Sequence, residues 1–148
     1  HDQTGCTAFI FEVKCCRLGW ATDLGHVPAH LIELFSDLDA IAFESNYDAG
    51  MQLDSDRPEF LKERIMGGRG HLSNTQSIEA IRTIAERSRL QHIALLHLSQ
   101  HCNDPRIIRT LWEREAPHLA SRLTLTDQRE PTELLRVTAA APAGSASG

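Results

Sequence analysis

Gly70-His71-Leu72-Ser73-Asn74 separates two textures of sequence. Before it, Leu61-Lys62-Glu63-Arg64-Ile65-Met66 is a charged amphipathic run that ends in Gly67-Gly68. After it, Ile78, Ile81, Ile84 and Ala85 recur at the spacing of one helix face. Ser73 followed by Gln76 makes a capping box, so the helix starts at Ser73. His71 therefore sits in a glycine-rich loop just ahead of a helix N-terminus. An imidazole held there can bind a metal or an anion. The plain alternative is a surface histidine, and the other histidines and aspartates have to decide between the two.

Composition narrows the field. The chain has 148 residues, enough for one modest domain with a core. It is 41% hydrophobic and 24% charged, ordinary values for a globular domain. A net charge of −5 gives no global field to attract nucleic acid but leaves room for a local basic groove. No apolar run reaches membrane-spanning length and no signal peptide is visible, so no membrane contact and a cytoplasmic location are expected. Cys6, Cys15, Cys16 and Cys102 contain no Cys-x-x-Cys pair, which argues against a structural zinc knuckle and for reduced thiols. Eight histidines hint at metal chemistry. The chain starts at His1, almost inside a strand, and reads as part of a longer protein.

Taken in order, Thr7 to Val13 and Leu18 to Thr22 read as strands, joined through Lys14 to Arg17. Pro28 suits the first turn of a helix from Ala29 to Phe35. Asp39 to Glu44 is almost continuously apolar and reads as a strand buried on both faces. Ser45 to Pro58 is a polar loop, and Pro58 to Met66 is a helix. The helix after His71 is expected to run to about Leu90, and His92 to Leu98 to form a buried strand. Asn103-Asp104-Pro105 caps a helix reaching about Glu115. Arg122 to Thr126 and Glu133 to Thr138 complete the set as short strands, and Ala139 to Gly148 is an Ala/Pro/Gly/Ser tail expected to be disordered. Alternating strands and helices argue an α/β layered fold over residues 1–138. Asp23, Glu44, His71 and His97 to Ser99 then share an address at strand carboxyl ends or helix-entry loops, where α/β folds build ligand sites.

Five pieces stand in a fixed order: His1-Asp2; Ala21-Thr22-Asp23-Leu24-Gly25-His26; Phe43-Glu44-Ser45-Asn46-Tyr47-Asp48; Gly70-His71-Leu72-Ser73-Asn74; and Leu95-Leu96-His97-Leu98-Ser99. This order, over roughly His1 to Asn103, resembles the C-terminal half of a metallo-β-lactamase-fold hydrolase. The nearest branch is the ribonuclease Z-like and phosphodiesterase/exonuclease-like proteins. The resemblance implies an αββα sandwich with the N-terminal half, and its His-x-His-x-Asp-His signature, lying outside this chain. It implies two divalent metal ions, zinc or manganese, with His1, Asp23 and His71 as ligands and Asp23 bridging the pair. It implies a phosphodiester substrate, such as DNA or RNA, with homo-oligomerisation as a further expectation. Asn46-Tyr47-Asp48 departs from the Asn-His-Asp common in relatives.

The residue types suit that chemistry. Imidazoles and carboxylates bind zinc or manganese, and paired metals lower the pKa of water and stabilise transition-state charge. Asp23 and His97 are the candidate catalytic residues. His97, Ser99 and Arg69 are the candidate substrate contacts, since an imidazole and a hydroxyl two residues apart on a strand share a face and can hold a phosphate oxygen. An equal alternative is that His97 caps the strand end and Ser99 starts a turn. Glu44 reads as a buried strand-end carboxylate with a hydrogen-bonding role, and a catalytic role is its alternative. Hydrolysis of a thioester or lactone on the same site, or a non-catalytic binding piece, are the competing functions.

Overall fold

The computed structural model describes residues 5–139. The proposed tail therefore lies outside the described residues except for Ala139.

A hairpin opens the fold. β1 (Ala8–Val13) and β2 (Cys16–Ala21) pair antiparallel, with Phe9 opposite Trp20 and Val13 opposite Cys16. The connection is only Lys14-Cys15, and Lys14 takes φ 56°, the positive value that a two-residue hairpin loop demands. β3 (Ala40–Glu44), β4 (His92–Leu96) and β5 (Leu123–Leu125) then add in parallel, giving one sheet in the order β1-β2-β3-β4-β5. Each parallel step needs a crossover. α1 (Ala29–Leu34) provides the first. α2 (Ala49–Leu53), α3 (Glu59–Arg64) and α4 (Asn74–Ala85) lie in the second. α5 (Pro105–Glu115) and α6 (Pro117–Ala120) make the third.

Strand alternation decides where the core lies. Ile41 and Phe43 of β3 and Ile93 and Leu95 of β4 join one buried cluster with Leu31 and Phe35 near α1, Ile78, Ile81 and Ile84 of α4, and Ile108 and Trp112 of α5. The helices therefore cover this face of the sheet. Gly19 is part of the fit, because a Cβ there would stand 2.7 Å from Leu38 Cδ1. On the hairpin, Phe9, Phe11, Val13 and Trp20 remain exposed, so apolar surface is left uncovered at the β1 end.

Local signals predict several boundaries well. Ser73 accepts from the Gln76 N–H and the Gln76 side chain accepts from the Ser73 N–H, the full capping box. Asp104 caps α5 through the Arg106 N–H, with Pro105 in the first turn. Four expectations are corrected. The Ser45 to Pro58 loop contains α2, capped by Asp48 accepting from the Met51 N–H. α4 stops at Ala85 rather than Leu90, where Ser88 and Arg89 turn to bond Phe35 O, Leu38 and Asp39 of the α1–β3 connection. β4 ends at Leu96, because His97 takes φ 60° and leaves the strand. Glu133 to Thr138 is not a strand: its contacts run to side chains, with Gln91 Nε2 donating to Thr138 O and His92 Nε2 donating to Arg136 O.

Two loops meet backbone to backbone below the sheet edge. After α3 the chain widens into a π-type turn, Ile65–Arg69, with Gly68 at φ 78°. A Cβ on Gly25 would stand 2.4 Å from Gly68 O and 2.7 Å from Arg69 Cα. Only a glycine lets the loop after β2 approach this closely. Gly25→Ala should therefore lower the urea midpoint by an amount worth about 1–3 kcal/mol while keeping the native circular dichroism spectrum. An unchanged midpoint would show that the two loops do not need this approach.

Candidate metal centre

The parallel order of β2, β3 and β4 brings their carboxyl ends to one edge. Asp23 follows β2 by two residues, Glu44 is the last residue of β3, and His97 is the first residue after β4. His71 comes from the loop ahead of α4. Its N–H donates to Ile65 O, and the next residues are clipped to β3's exit, with Asn46 N–H donating to Leu72 O and Asn74 N–H donating to Tyr47 O.

Glu44 is wholly buried and takes its partners from three segments. Its Oε2 accepts from the Leu24 N–H at 2.6 Å. Its Oε1 lies 2.8 Å from His71 Nδ1 and 3.2 Å from His97 Nδ1. Both imidazoles are thus directed by one carboxylate oxygen, and their rings meet edge to face with centroids 4.9 Å apart. Asp23 Oδ1 stands 3.9 Å from Nδ1 of each histidine. One potential ligand atom from each of Asp23, His71 and His97 falls within 4.8 Å of the others.

Backbone conformation supports the same reading. Asp23 has φ 58° and His97 has φ 60°, both in the left-handed region that non-glycine residues seldom use. Such residues persist where the surroundings over-determine them, and they concentrate at functional sites. For His97 the surroundings are visible: Asn46 Nδ2 donates to His97 O at 2.7 Å, and Ser99 N–H donates to Asn46 O. Behind them is a buried amide network. Ser45 Oγ donates to Asn74 Oδ1, Asn74 Nδ2 donates to Asn103 Oδ1, and Asn103 Nδ2 donates to the carbonyls of Ser45 and Asn46. It ties the exit of β3 to the start of α4 and to the turn ahead of α5.

The electrostatics follow from these bonds. Burial pushes the Glu44 carboxyl up, but hydrogen bonds from His71, His97 and the Leu24 N–H outweigh it and hold the group below its ordinary value. The hydrogen bond to Glu44 raises His97 above the usual histidine value against the opposing effect of burial, with Asp23 adding attraction. With Nδ1 of each ring donating to Glu44, Nε2 is left as the basic nitrogen. A carboxylate orienting an imidazole in this way is the common support for a metal-binding histidine. A carboxylate and two imidazoles make a donor set that fits a zinc- or manganese-like cation.

The residues singled out from sequence distribute as follows. Asp23 and His71 come together, and His97 stands beside them, each offering one possible ligand atom within 4.8 Å of the others. His97 and Ser99 line one cavity of about 550 Å³, but not through strand alternation, because the strand has already ended. Ser99 Oγ accepts from the Cys102 N–H, the turn role that its alternative reading gave it. Arg69 is exposed and lines a different cleft. His1 lies outside the described residues. Glu44 has the hydrogen-bonding role read for it, and its partners are now identified. The sequence reading missed the Ser45–Asn74–Asn103 network. Its only signal was polar residues placed just after a strand and at two helix starts.

No protein-family model matches the chain. Among solved structures, it is similar to the metallo-β-lactamase fold protein YhfI from Bacillus subtilis, with a TM-score of 0.52 at 16% identity, covering 80% of this chain and 39% of that one. The chain carries part of a metallo-β-lactamase fold. Zinc-bound PqqB from Methylobacterium extorquens is a second neighbour of this fold, with a TM-score of 0.50 at 14% identity over 79% of this chain and 39% of that protein. By sequence the chain is 35% identical over 104 residues to exodeoxyribonuclease WalJ of Streptococcus pneumoniae, which is 70% of this chain and 38% of the relative. The chain thus spans less than two-fifths of the curated relatives it matches. Among the described residues, no helix is long and apolar enough to cross a membrane.

Glu44→Gln keeps the shape of the side chain and removes its charge. Zinc affinity measured by competition with a chromogenic chelator should fall about 10- to 100-fold. In the metal-free protein the His97 pKa, followed by NMR, should move down toward the free-histidine value, since the acceptor that raises it is weakened. A His97 titration that is the same in both proteins would break the link between Glu44 and His97.

Proposed function

We propose that this chain forms part of a metal-dependent hydrolase that cleaves phosphodiester bonds in nucleic acid or nucleotides. The observation that carries this reading is the convergence of Asp23, His71 and His97 on one point, two of them aimed by the buried Glu44. The exodeoxyribonuclease name of the WalJ relative agrees with it. So does the zinc bound by the PqqB neighbour.

In this reading Asp23, His71 and His97 would hold one divalent cation, and Asp23 would bridge to a second for which His1 is the proposed ligand. The cation supplies Lewis acidity toward a phosphoryl oxygen and acidifies water. The chain's own residues supply position and charge. Asp23 contributes the anion that offsets the cation. Glu44 fixes the tautomer and direction of both imidazoles. His97 has 41% of its side chain exposed, so it reaches solvent and substrate while remaining bonded to Glu44. The Ser99 hydroxyl keeps its proton for donation, because its bond with the Cys102 N–H uses it as an acceptor. Residues 1–138 form the C-terminal portion of the catalytic domain, with a second cation completed by residues from elsewhere in the domain.

The test uses the full-length protein that contains this chain, loaded with zinc or manganese. Asp23→Ala should cut turnover of bis-p-nitrophenyl phosphate by about 100-fold or more, the scale of losing one preorganised electrostatic group. The circular dichroism spectrum should stay native. Ser99→Ala should reduce turnover of the phosphodiester while leaving metal content and hydrolysis of a neutral lactone unchanged. Near-normal turnover in Asp23→Ala would refute the assignment. Lactone hydrolysis that exceeds phosphodiester hydrolysis in the unmutated protein would replace the phosphodiesterase reading with an acyl-hydrolase one.

A further inference from the structure

A cleft of about 950 Å³ opens beside the candidate centre, lined by none of Asp23, Glu44, His71 and His97. Arg64, Arg69, His26 and His30 line it, with Leu24 and Leu31 among its apolar walls. Among the described residues, no Asp or Glu lines it, although the chain carries 20 acidic residues against 15 Lys and Arg. Its position is set by the fold. Leu24 follows Asp23 directly and gives its N–H to Glu44. His26 Nδ1 lies 3.3 Å from Gly68 O and closes the loop pair from which Arg69 leads to His71. The cleft therefore leads away from the centre along chain segments that also build it.

We propose that this cleft binds the strand of a single-stranded nucleic acid flanking the bond held at the centre, so that the substrate is a polymer and not a mononucleotide. The proposal rests on the phosphodiesterase reading and adds the class of substrate. Charge complementarity commits the occupant: guanidinium groups take phosphates by paired, charge-assisted hydrogen bonds. The apolar walls and the imidazoles of His26 and His30 suit base faces, which only an unpaired strand presents. A duplex would keep its bases stacked away from those walls. Binding of a second copy of the chain is the competing outcome that sedimentation detects.

The test is binding of a fluorescein-labelled dT10 to the full-length protein that contains this chain, followed by anisotropy in EDTA so that no hydrolysis or metal contributes. Affinity should fall with salt, and Arg64→Ala should make the log–log slope shallower by about 0.7, the effect of one phosphate contact on a single strand. Arg64→Lys should restore the slope. His30→Ala should weaken binding about 5-fold or more by removing a stacking surface, with a blunt duplex of equal length bound more weakly by the unmutated chain. Wild-type affinity and slope in Arg64→Ala would overturn the proposal. So would tighter binding of the duplex, or an Arg64→Glu variant that changes the oligomeric state in sedimentation and leaves dT10 binding intact. The two readings fail separately. Oligonucleotide binding with the expected slope change, in a protein whose full-length form hydrolyses no phosphodiester, leaves the cleft and removes the hydrolase. Robust phosphodiester hydrolysis with no oligonucleotide binding removes the cleft alone.

Discussion

A single buried carboxylate facing two imidazoles governs this structure. Glu44 sits at the end of a strand with no exposure to solvent, where an unpaired charge is strongly disfavoured. It is retained because three donors from three separate segments converge on it: Leu24 after β2, His71 before α4 and His97 after β4. The arrangement works in both directions. The donors keep Glu44 ionised, and Glu44 fixes which face of each ring points away from it. Truncating such a residue would leave two imidazoles and a backbone N–H without their acceptor, so its loss reaches both the fold and the site.

The rest of the fold delivers those donors to that oxygen. Parallel pairing of β2, β3 and β4 puts three strand ends on one edge. Left-handed backbone at Asp23 and His97 then turns each chain sharply at the point of use. The amide network of Ser45, Asn74 and Asn103 holds that edge from behind, with Asn46 extending it to the His97 carbonyl. The contact of Gly25 with Gly68 and Arg69 holds the loops that carry Asp23 and His71 at a fixed separation. Each of these segments is tied by backbone or amide hydrogen bonds, which suits a site that is preorganised before anything binds.

Much of this was legible in the sequence where the determinants are local. The Ser73 and Asp104 caps, the apolar β3 and the hairpin strands are each encoded within a few residues. The ordered pieces around Asp23, His71 and His97 were enough to expect the metallo-β-lactamase fold. What stayed hidden depends on contacts between distant segments. The shared face read for His97 and Ser99 rested on strand alternation, which the φ of 60° at His97 breaks. The Glu133 to Thr138 segment has strand-like composition but bonds to the side chains of Gln91 and His92 instead of a ladder. The Asn74–Asn103 pair joins residues 29 positions apart, and no local pattern marks such a pairing.

The central claim is that Glu44 organises Asp23, His71 and His97 into a cation site. Crystals of the chain equilibrated with zinc, measured on either side of the zinc absorption edge, test it most directly. The account predicts an anomalous peak about 2.0–2.1 Å from an imidazole nitrogen of His71 and of His97 and about 2.0–2.2 Å from an Asp23 oxygen. Glu44 should remain bonded to the rings and not to the ion. A zinc peak on other residues with this cluster unchanged, or one coordinated directly by Glu44, would contradict it.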